Sequence, residues 1–327
     1  MITRVFSALL IVTLAAGSSD AQTVTSSAGW PSKPIKLIVP FPGGSSTDVV
    51  ARIVAQMLSP LIEQSFVIEN RVGASGMIGA EAVARAEPDG YTIGVATTST
   101  HALASSLSAN LRYNPLRDFA PVSMIGSSPY VMVTDPSLQA RSVQEFVALA
   151  KAKPGKLSFG SAGPGSLAHL AGVLFSNMIG AQLVHVPYKS SAQSVTDLMT
   201  GRLDMQFATI PPTLPLIRSG QMQALATTGG KRSAVLPELP TIAETGLFGY
   251  EAVLWMAIVA PAAVPQPIVA RLNRELAKVL HNPEAGAALK AQGMDIESST
   301  PDALRDRIAN DLEKWRSIIA QAGIAPE

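Results

Sequence analysis

Residues 35–58 read IKLIV-PFPGGSST-DVVARIVAQML, and their pattern indicates the fold class. Its first five residues are mostly aliphatic and β-branched, which favours a strand. The loop that follows is rich in Pro and Gly and ends that strand. Over residues 48–58 the apolar side chains then recur at helical spacing, so the pattern predicts a helix. A strand, a short loop and a helix in this order form the repeating unit of α/β proteins.

The same unit recurs along the rest of the chain. Short apolar runs alternate with amphipathic segments, which predicts an α/β fold with a mainly parallel sheet flanked by helices. Further strands are predicted at residues 65–69, 91–96, 131–133, 157–159, 183–186 and 203–207, with a buried strand within 252–264. Further helices are predicted at residues 77–86, 142–152, 167–179, 191–200 and 301–322.

The N-terminus has the three parts of a secretory signal peptide. Arg4 supplies a positive charge, residues 5–16 are apolar, and Ser19-Asp20-Ala21 provides small residues for cleavage. The apolar stretch is shorter than the ~20 residues that cross a bilayer. No Cys lies near this site, which excludes a lipid anchor on a terminal Cys. We therefore expect residues 1–21 to be a signal peptide cleaved near Ala21, and the mature protein to lie in the periplasm. The alternative is an ordinary first helix.

Composition excludes several functional classes. The chain of 327 residues has no Cys, which rules out a disulfide scaffold, a thiol nucleophile and a Cys-ligated metal. It has only four His, widely spaced, so no metal or other cofactor is expected. The net charge is +1 without basic runs, which gives no electrostatic footprint for nucleic acid. The length suggests two lobes.

Three of the predicted strand-to-helix junctions consist of small residues. They are residues 43–47, 73–76 and 161–166. The first N–H groups of a helix are unpaired and carry a partial positive charge, so each junction suits an anion. Such loops meet beyond the carboxyl ends of the strands, where α/β sheets bind ligands. One junction alone would more simply be a turn with an N-cap, but three in one chain favour an anion site.

Two enzyme classes fit the sequence less well. Residues 163–168 read GPGSLA and match a dinucleotide fingerprint, but residues 182–187 lack the acidic residue expected about 20 positions later. Gly160-Ser161-Ala162-Gly163 falls short of the Gly-x-Ser-x-Gly elbow of hydrolases. We expect His169 to cap or pack, and His185 to lie in the core. A Ser-centred α/β hydrolase therefore remains a distant alternative.

Seven motifs give the chain a family resemblance. Between residues 34 and 293 it resembles the substrate-binding proteins of tripartite tricarboxylate transporters, also called the Bug or TctC-like family. The motifs are PFPGGSSTDVVAR at 40–52, ENRVGASG at 69–76, PDGYT at 88–92, YNP at 113–115, DFAPV at 118–122, HVPYK at 185–189 and LPELPTIAE at 236–244.

The resemblance implies a fold, partners and an activity. The fold would be the type II periplasmic binding protein, or Venus flytrap, in which two strands cross between the lobes as a hinge. Lobe 1 would comprise residues 33–127 and 250–327, and lobe 2 residues 128–249. The protein would be a monomer that captures a small carboxylate without catalysis. It would deliver this ligand to the large and small membrane subunits of a permease, or report it to a two-component sensor kinase.

The resemblance also implies which residues contact the carboxylate. Loop amides and hydroxyls would do most of the binding, partly through water. In lobe 1 the candidates are Phe41, Gly44, Ser46, Thr47, Asp48, Ala74, Ser75, Thr97, Thr98 and Ser99. In lobe 2 they are Ser161, Ala162, Gly165, Ser166, His169, Tyr188, Ala208, Thr209 and Ile210. Because an acid beside a carboxylate is repulsive, Asp48 is better interpreted as a helix cap that pairs with Arg52.

Three departures from the family pattern bear on the ligand. Ser45 and Ser190 stand where the family usually has Gly, on loops expected to face the cleft. Ala208 stands where many members have Asp. A buried ammonium group would need an acidic partner, so this Ala argues against an amino-acid ligand. A dicarboxylate, a tricarboxylate, or an aromatic or aliphatic monocarboxylate is expected instead.

Overall fold

A computed structural model describes residues 29–188, 191–321 and 323–326. The predicted signal peptide at residues 1–21 lies outside these residues, as do Lys189 and Ser190. The described part of the chain forms an α/β structure of ten strands, in which two sheets share one long strand.

The first sheet contains β1, the first strand of the described residues. Its strand order is β2-β1-β3-β9-β4, with a short β10 added on β4. Strands β1, β2 and β3 are parallel, whereas β9 runs antiparallel to both of its neighbours. The bounds are β1 Ile35–Val39, β2 Phe66–Asn70, β3 Thr92–Thr97, β4 Phe119–Thr134, β9 Val253–Pro261 and β10 Asp295–Ile296.

The second sheet is built on the other end of β4. Residues 119–129 of β4 pair with β9, while residues 130–134 pair with β7 and those from 131 onward also with β8. Strand β5 is parallel to β6 on one side and to β7 on the other. The bounds are β5 Ser158–Ser161, β6 Val184–Pro187, β7 Met205–Thr209 and β8 Gln223–Thr227.

Helices cover both faces of these sheets. Helices α1, α8 and α9 bury their apolar faces on the first sheet. A larger buried cluster joins α2, α4, α5 and α10 to strands of both sheets. The bounds are α1 Ser46–Ile62, α2 Met77–Ala84, α3 Ala104–Leu107, α4 Val143–Ala152, α5 Leu167–Ile179, α6 Ser191–Met199, α7 Ile210–Arg218, α8 Gln266–His281, α9 Pro283–Ala291 and α10 Pro301–Gln321. None of these helices is both long and apolar enough to span a bilayer.

The predicted α/β fold class is confirmed. The structure shows in addition that the long strand shared by the two sheets, β4, has only antiparallel neighbours among the described residues. Around β4 every pairing is antiparallel, with β7, β8, β9 and β10. The strand predicted at residues 131–133 is only the end of β4. A strand–loop–helix pattern cannot indicate these pairings, because they join segments that are far apart in sequence.

Candidate ligand-binding site

A cleft of about 770 Å³ lies where loops of the two sheets meet. It lies within the range of roughly 300–1,000 Å³ that is usual for small-molecule sites. Loops that follow β1, β2 and β3 line one side, and the loop that follows β5 lines the other. These are the carboxyl ends of parallel strands, where α/β sheets place their ligands.

The predicted site residues fall into two groups. Nine line the cleft, namely Phe41, Ser46, Thr47, Ala74, Ser75, Ser99, Ala162, Gly165 and Ser166. Ten are not part of its lining, namely Gly44, Asp48, Thr97, Thr98, Ser161, His169, Tyr188, Ala208, Thr209 and Ile210. Several of the second group hold the lining loops in place, as the contacts below describe.

Ser45 starts the junction between β1 and α1. Its hydroxyl accepts the backbone N–H of Asp48 at 3.3 Å, so Ser45 is the N-cap residue of α1. Ser45, Ser46 and Thr47 all line the cleft. The first turn of α1 therefore presents hydroxyls and unpaired backbone amides to this space.

Asp48 braces this junction from behind. Its carboxylate accepts the Gly44 N–H at 2.9 Å and the Asn70 amide at 2.8 Å. The Arg52 guanidinium binds both carboxylate oxygens, at 2.9 and 3.1 Å. These bonds, with Arg52 contributing most, lower the pKa of Asp48 to about 2. The side chain is 2% exposed, so it acts as a brace for the loop rather than as part of the cleft surface.

Left-handed backbone shapes the junction after β2. Ala74 and Ser75 have φ values of 46° and 53°, although neither is Gly. Such conformations cost roughly 1–3 kcal/mol each and cluster at functional sites. Gly76 completes the turn at φ 92°, and a Cβ there would come within 2.8 Å of Thr100. Ala74 and Ser75 both line the cleft.

Hydroxyls fix the junction after β3. Thr97 and Thr100 bond to each other through side chains and backbone. Thr98 donates its hydroxyl to the Val253 carbonyl at 3.1 Å and accepts the Trp255 N–H at 2.9 Å, which ties the junction to β9. Ser99 then begins a π-helical turn over Ser99–Leu103, a geometry often found at functional sites. Thr97 and Thr98 are fully buried, so of the three predicted residues here only Ser99 reaches the cleft.

The junction after β5 has a second N-cap. Ser166 Oγ accepts the His169 N–H at 3.3 Å and donates to the Gly163 carbonyl at 2.7 Å. His169 Nδ1 accepts the Gly165 N–H at 3.2 Å. Gly165 has φ 73°, a conformation that suits Gly. Ala162, Gly165 and Ser166 line the cleft from this side.

Two stacked imidazoles lie beneath this loop. The rings of His169 and His185 have centroids 3.9 Å apart. His185 Nε2 lies 2.7 Å from Ser161 Oγ, which also accepts the Gly163 N–H. Burial, together with the neighbouring His169, lowers the pKa of His185 to about 4, and burial lowers the pKa of His169. Both rings are therefore neutral at pH 7.

The remaining predicted residues lie beside the second sheet. Tyr188 donates its hydroxyl to Asp197 at 3.0 Å. Ala208 is buried in β7 opposite Val131. The Thr209 carbonyl accepts the Thr213 hydroxyl at 2.7 Å, and Ile210 begins α7 with its side chain buried. Contact between these residues and a ligand stays a prediction.

Sequence reasoning missed most of the apolar lining. Leu103, Ala104, Leu107, Tyr130, Leu254 and Ile324 all line the cleft. They come from separate parts of the chain that only the tertiary structure brings together. No local signal marks them, since scattered apolar residues are also expected in any core.

The described lining contains no charged side chain. Among the described residues around the cleft, none is Asp, Glu, Lys, Arg or His. The polar groups that face it are the hydroxyls of Ser and Thr, the phenol of Tyr130 and backbone groups. An anion in the cleft would therefore be held by N–H and O–H donors and by helix N-termini rather than by an ion pair.

Sequence comparison places the chain in a known family. Residues 50–324 match the family described as the tripartite tricarboxylate transporter family receptor. BugT of Bordetella pertussis is 38% identical over 295 residues, which cover 90% of each chain.

Comparison with solved structures also finds binding proteins of similar fold and sequence. Rpa4515 of R. palustris, solved with adipate, has a TM-score of 0.75 and 36% identity over 91% of this chain and all of its own. The periplasmic binding protein BugD has a TM-score of 0.72 and 31% identity over 91% and 100% of the two chains. MatC from Rhodopseudomonas palustris, solved with malate, has a TM-score of 0.70 and 28% identity over 89% and 100%.

Fold, cleft and structural relatives define the class as a solute-binding protein of the periplasmic binding protein type. Within that class, the chain belongs to the tripartite tricarboxylate transporter receptor family, whose members include the Bug proteins.

Proposed function

We propose that this chain captures a small carboxylate in the cleft and delivers it to a tripartite-type membrane permease. The N-terminal turns of α1 and α5, which both open onto the cleft, carry the proposal. They present amide and hydroxyl donors in a space without acidic side chains. The adipate and malate in Rpa4515 and MatC support a carboxylate here as well.

Binding would close the cleft by a hinge motion. We propose that lobe 1 comprises residues 33–127 and 250–327, and that lobe 2 comprises residues 128–249. Strand β4 belongs to both sheets and would therefore carry the bend. A ligand that contacts loops of both lobes stabilises the closed state over the open one. Small-angle scattering would then give a smaller radius of gyration with ligand than without it.

Thermal unfolding of the mature protein tests carboxylate capture. A panel of mono-, di- and tricarboxylates, with amino acids as controls, is added at increasing concentration. A ligand that binds only the folded state stabilises it by RT ln(1 + [L]/Kd), so the melting temperature rises with ligand concentration. Adipate is the first probe. If no carboxylate raises the melting temperature, the proposal is wrong.

The periplasmic location and the permease partner need separate tests. We expect export with cleavage near Ala21, which the mass of the secreted protein would check. Uptake of the bound acid in cells with and without the membrane subunits would distinguish delivery from reporting to a sensor kinase. Loss of uptake only when those subunits are removed supports delivery.

One observation gives the hydrolase alternative a specific form. Ser161 Oγ lies 2.7 Å from His185 Nε2, as in a nucleophile–base pair. However, Ser161 has no exposed surface and already bonds to Gly163. In the described residues no carboxylate bonds to the His185 ring. We infer that this pair positions the loop. Ester hydrolysis that disappears in Ser161→Ala would contradict this inference.

A further inference from the structure

The described lining of the cleft offers no cation to a highly charged ligand. Its described lining lacks Lys, Arg and His, so each carboxylate must be met by neutral donors alone. One or two carboxylates suit the turns of α1 and α5, one on each side of the cleft. A third would be removed from water without an opposite charge, which is costly.

A large part of the remaining lining is apolar. Leu103, Ala104 and Leu107 come from the π-helical turn and α3, Leu167 opens α5, and Leu254 lies in β9. Leu107 also reaches the opposite loop, since a Cβ on Gly165 would lie 3.3 Å from it. All of them belong to or pack against one large buried cluster. They therefore give the cleft an apolar wall, which also carries the hydroxyls of Ser99, Ser108 and Tyr130.

The C-terminal tail completes this wall. Helix α10 ends at Gln321, and Gly323 follows with φ 66°. The Gly323 N–H bonds to the Ala320 carbonyl at 3.1 Å, and the Ile324 N–H bonds to the Ile319 carbonyl at 3.3 Å. This pair of bonds is a Schellman motif, which fixes the direction of the chain after a helix. It turns Ile324 back onto the apolar cluster, where its side chain lines the cleft.

We propose that the cleft selects carboxylates of low charge with an unbranched apolar body, and that Ile324 is a specificity-determining residue for that body. This inference rests on the proposed capture of a carboxylate. An acid such as hexanoate or adipate would place its charged end or ends at the helix N-termini and its methylenes against the apolar wall. Citrate would bring a third charge and a hydroxyl to the same wall.

Calorimetry on the mature protein tests the proposal with hexanoate, adipate, succinate and citrate. We expect the better of hexanoate and adipate to bind at least tenfold more tightly than citrate. Each buried methylene contributes about 0.8 kcal/mol, or roughly a fourfold change in Kd. Ile324→Ala should therefore weaken hexanoate and adipate by about tenfold and leave succinate within about twofold.

Two further variants keep the test specific. Leu107→Ala removes a different part of the same wall. It should likewise weaken hexanoate and adipate while leaving succinate nearly unchanged. Leu61→Ala removes a partly exposed Leu outside the cleft and should leave all four affinities unchanged. Melting temperatures without ligand show whether each variant is folded.

The outcomes separate this inference from the proposed function. If no acid binds the wild-type protein, carboxylate capture itself fails. If citrate binds most tightly, or if Ile324→Ala and Leu107→Ala weaken all the acids equally or not at all, capture stands and the apolar selection is wrong.

Discussion

The β1–α1 and β5–α5 junctions perform the same task with different chemistry. In both, a Ser caps the helix and accepts the amide three residues on at 3.3 Å. The first junction is braced by Asp48, a carboxylate bound to Arg52 near the surface. The second is braced by His169, a neutral imidazole stacked on His185.

This difference has a consequence for acid stability. Asp48 stays ionised down to its lowered pKa of about 2, so its bonds persist in mild acid. His169 accepts the Gly165 N–H only while Nδ1 carries no proton. The comparison therefore indicates that the β5–α5 junction is the acid-sensitive side of the cleft.

The largest expected effect is on the second junction. Gly165→Val places a β-branched residue at φ 73°, with its Cβ 3.3 Å from Leu107. We expect adipate affinity to fall more than about 100-fold by calorimetry, because the loop must move away from the cleft. Gly220→Val is the matched control, since Gly220 has φ 74° and lies outside the cleft with open space around it. Equal affinities of the two variants would contradict the assignment of this loop.

The first junction should depend on its carboxylate. Asp48→Ala leaves the Gly44 N–H, Asn70 and Arg52 without their partner. Urea unfolding should show a loss of about 1–2 kcal/mol, with weaker adipate binding. Arg52→Ala should lower the free energy of unfolding by less, because the Arg52 side chain is 53% exposed and water can replace its bonds. Equal losses in Arg52→Ala and Asp48→Ala would show that the ion pair, not the bonds to Gly44 and Asn70, dominates.

The two N-caps can be compared directly. Ser45→Ala and Ser166→Ala should each lower the free energy of unfolding by about 1 kcal/mol, as cap removal usually does. Ser166→Ala should cost more, because it also loses the bond to the Gly163 carbonyl. Ser142→Ala removes the cap of α4, which lies away from the cleft. It should lower stability similarly but leave adipate affinity unchanged.

The smallest effect concerns pH. The folded pKa values of His169 and His185 lie below the unfolded value of 6.5, the latter at about 4. Below pH 6.5 the unfolded chain therefore binds more protons, and stability falls as the pH drops toward 4. Without ligand, the urea midpoint should be lower at pH 5 than at pH 7. In His169→Asn, whose amide oxygen can replace Nδ1 without titrating, the decrease should be smaller. An equal decrease would mean that other groups, such as buried His101, cause it.

Local signals predicted much of the fold. Ile35–Val39 and Leu167–Ile179 have the predicted bounds, because apolar spacing and a flanking Ser or Gly are local features. The first part of β4 gave no such signal, since Pro121, Gly126 and Pro129 interrupt it. Its pairing with β9 forms it instead, and that pairing joins residues more than a hundred positions apart.

The cleft lining was likewise predictable only where its residues stand together in the sequence. The Gly- and Ser-rich junctions stand in the sequence as continuous stretches, and each contributes lining residues. Leu107 and Ile324 are separated by most of the chain, and no spacing rule connects them. The Ser161–His185 bond depends on the parallel register of β5 and β6, which pairs Phe159 with His185. Such contacts follow from topology rather than from local pattern.

The position of β9 also determines when the first sheet can form during synthesis. This strand lies between β3 and β4, yet it begins only at Val253. A growing chain emerges N-terminus first. All strands of the second sheet are therefore made before β9, which lies between β3 and β4 in the first sheet. Contacts of such long sequence separation form slowly. The order of strands therefore delays completion of the first sheet until the C-terminal part of the chain has been made.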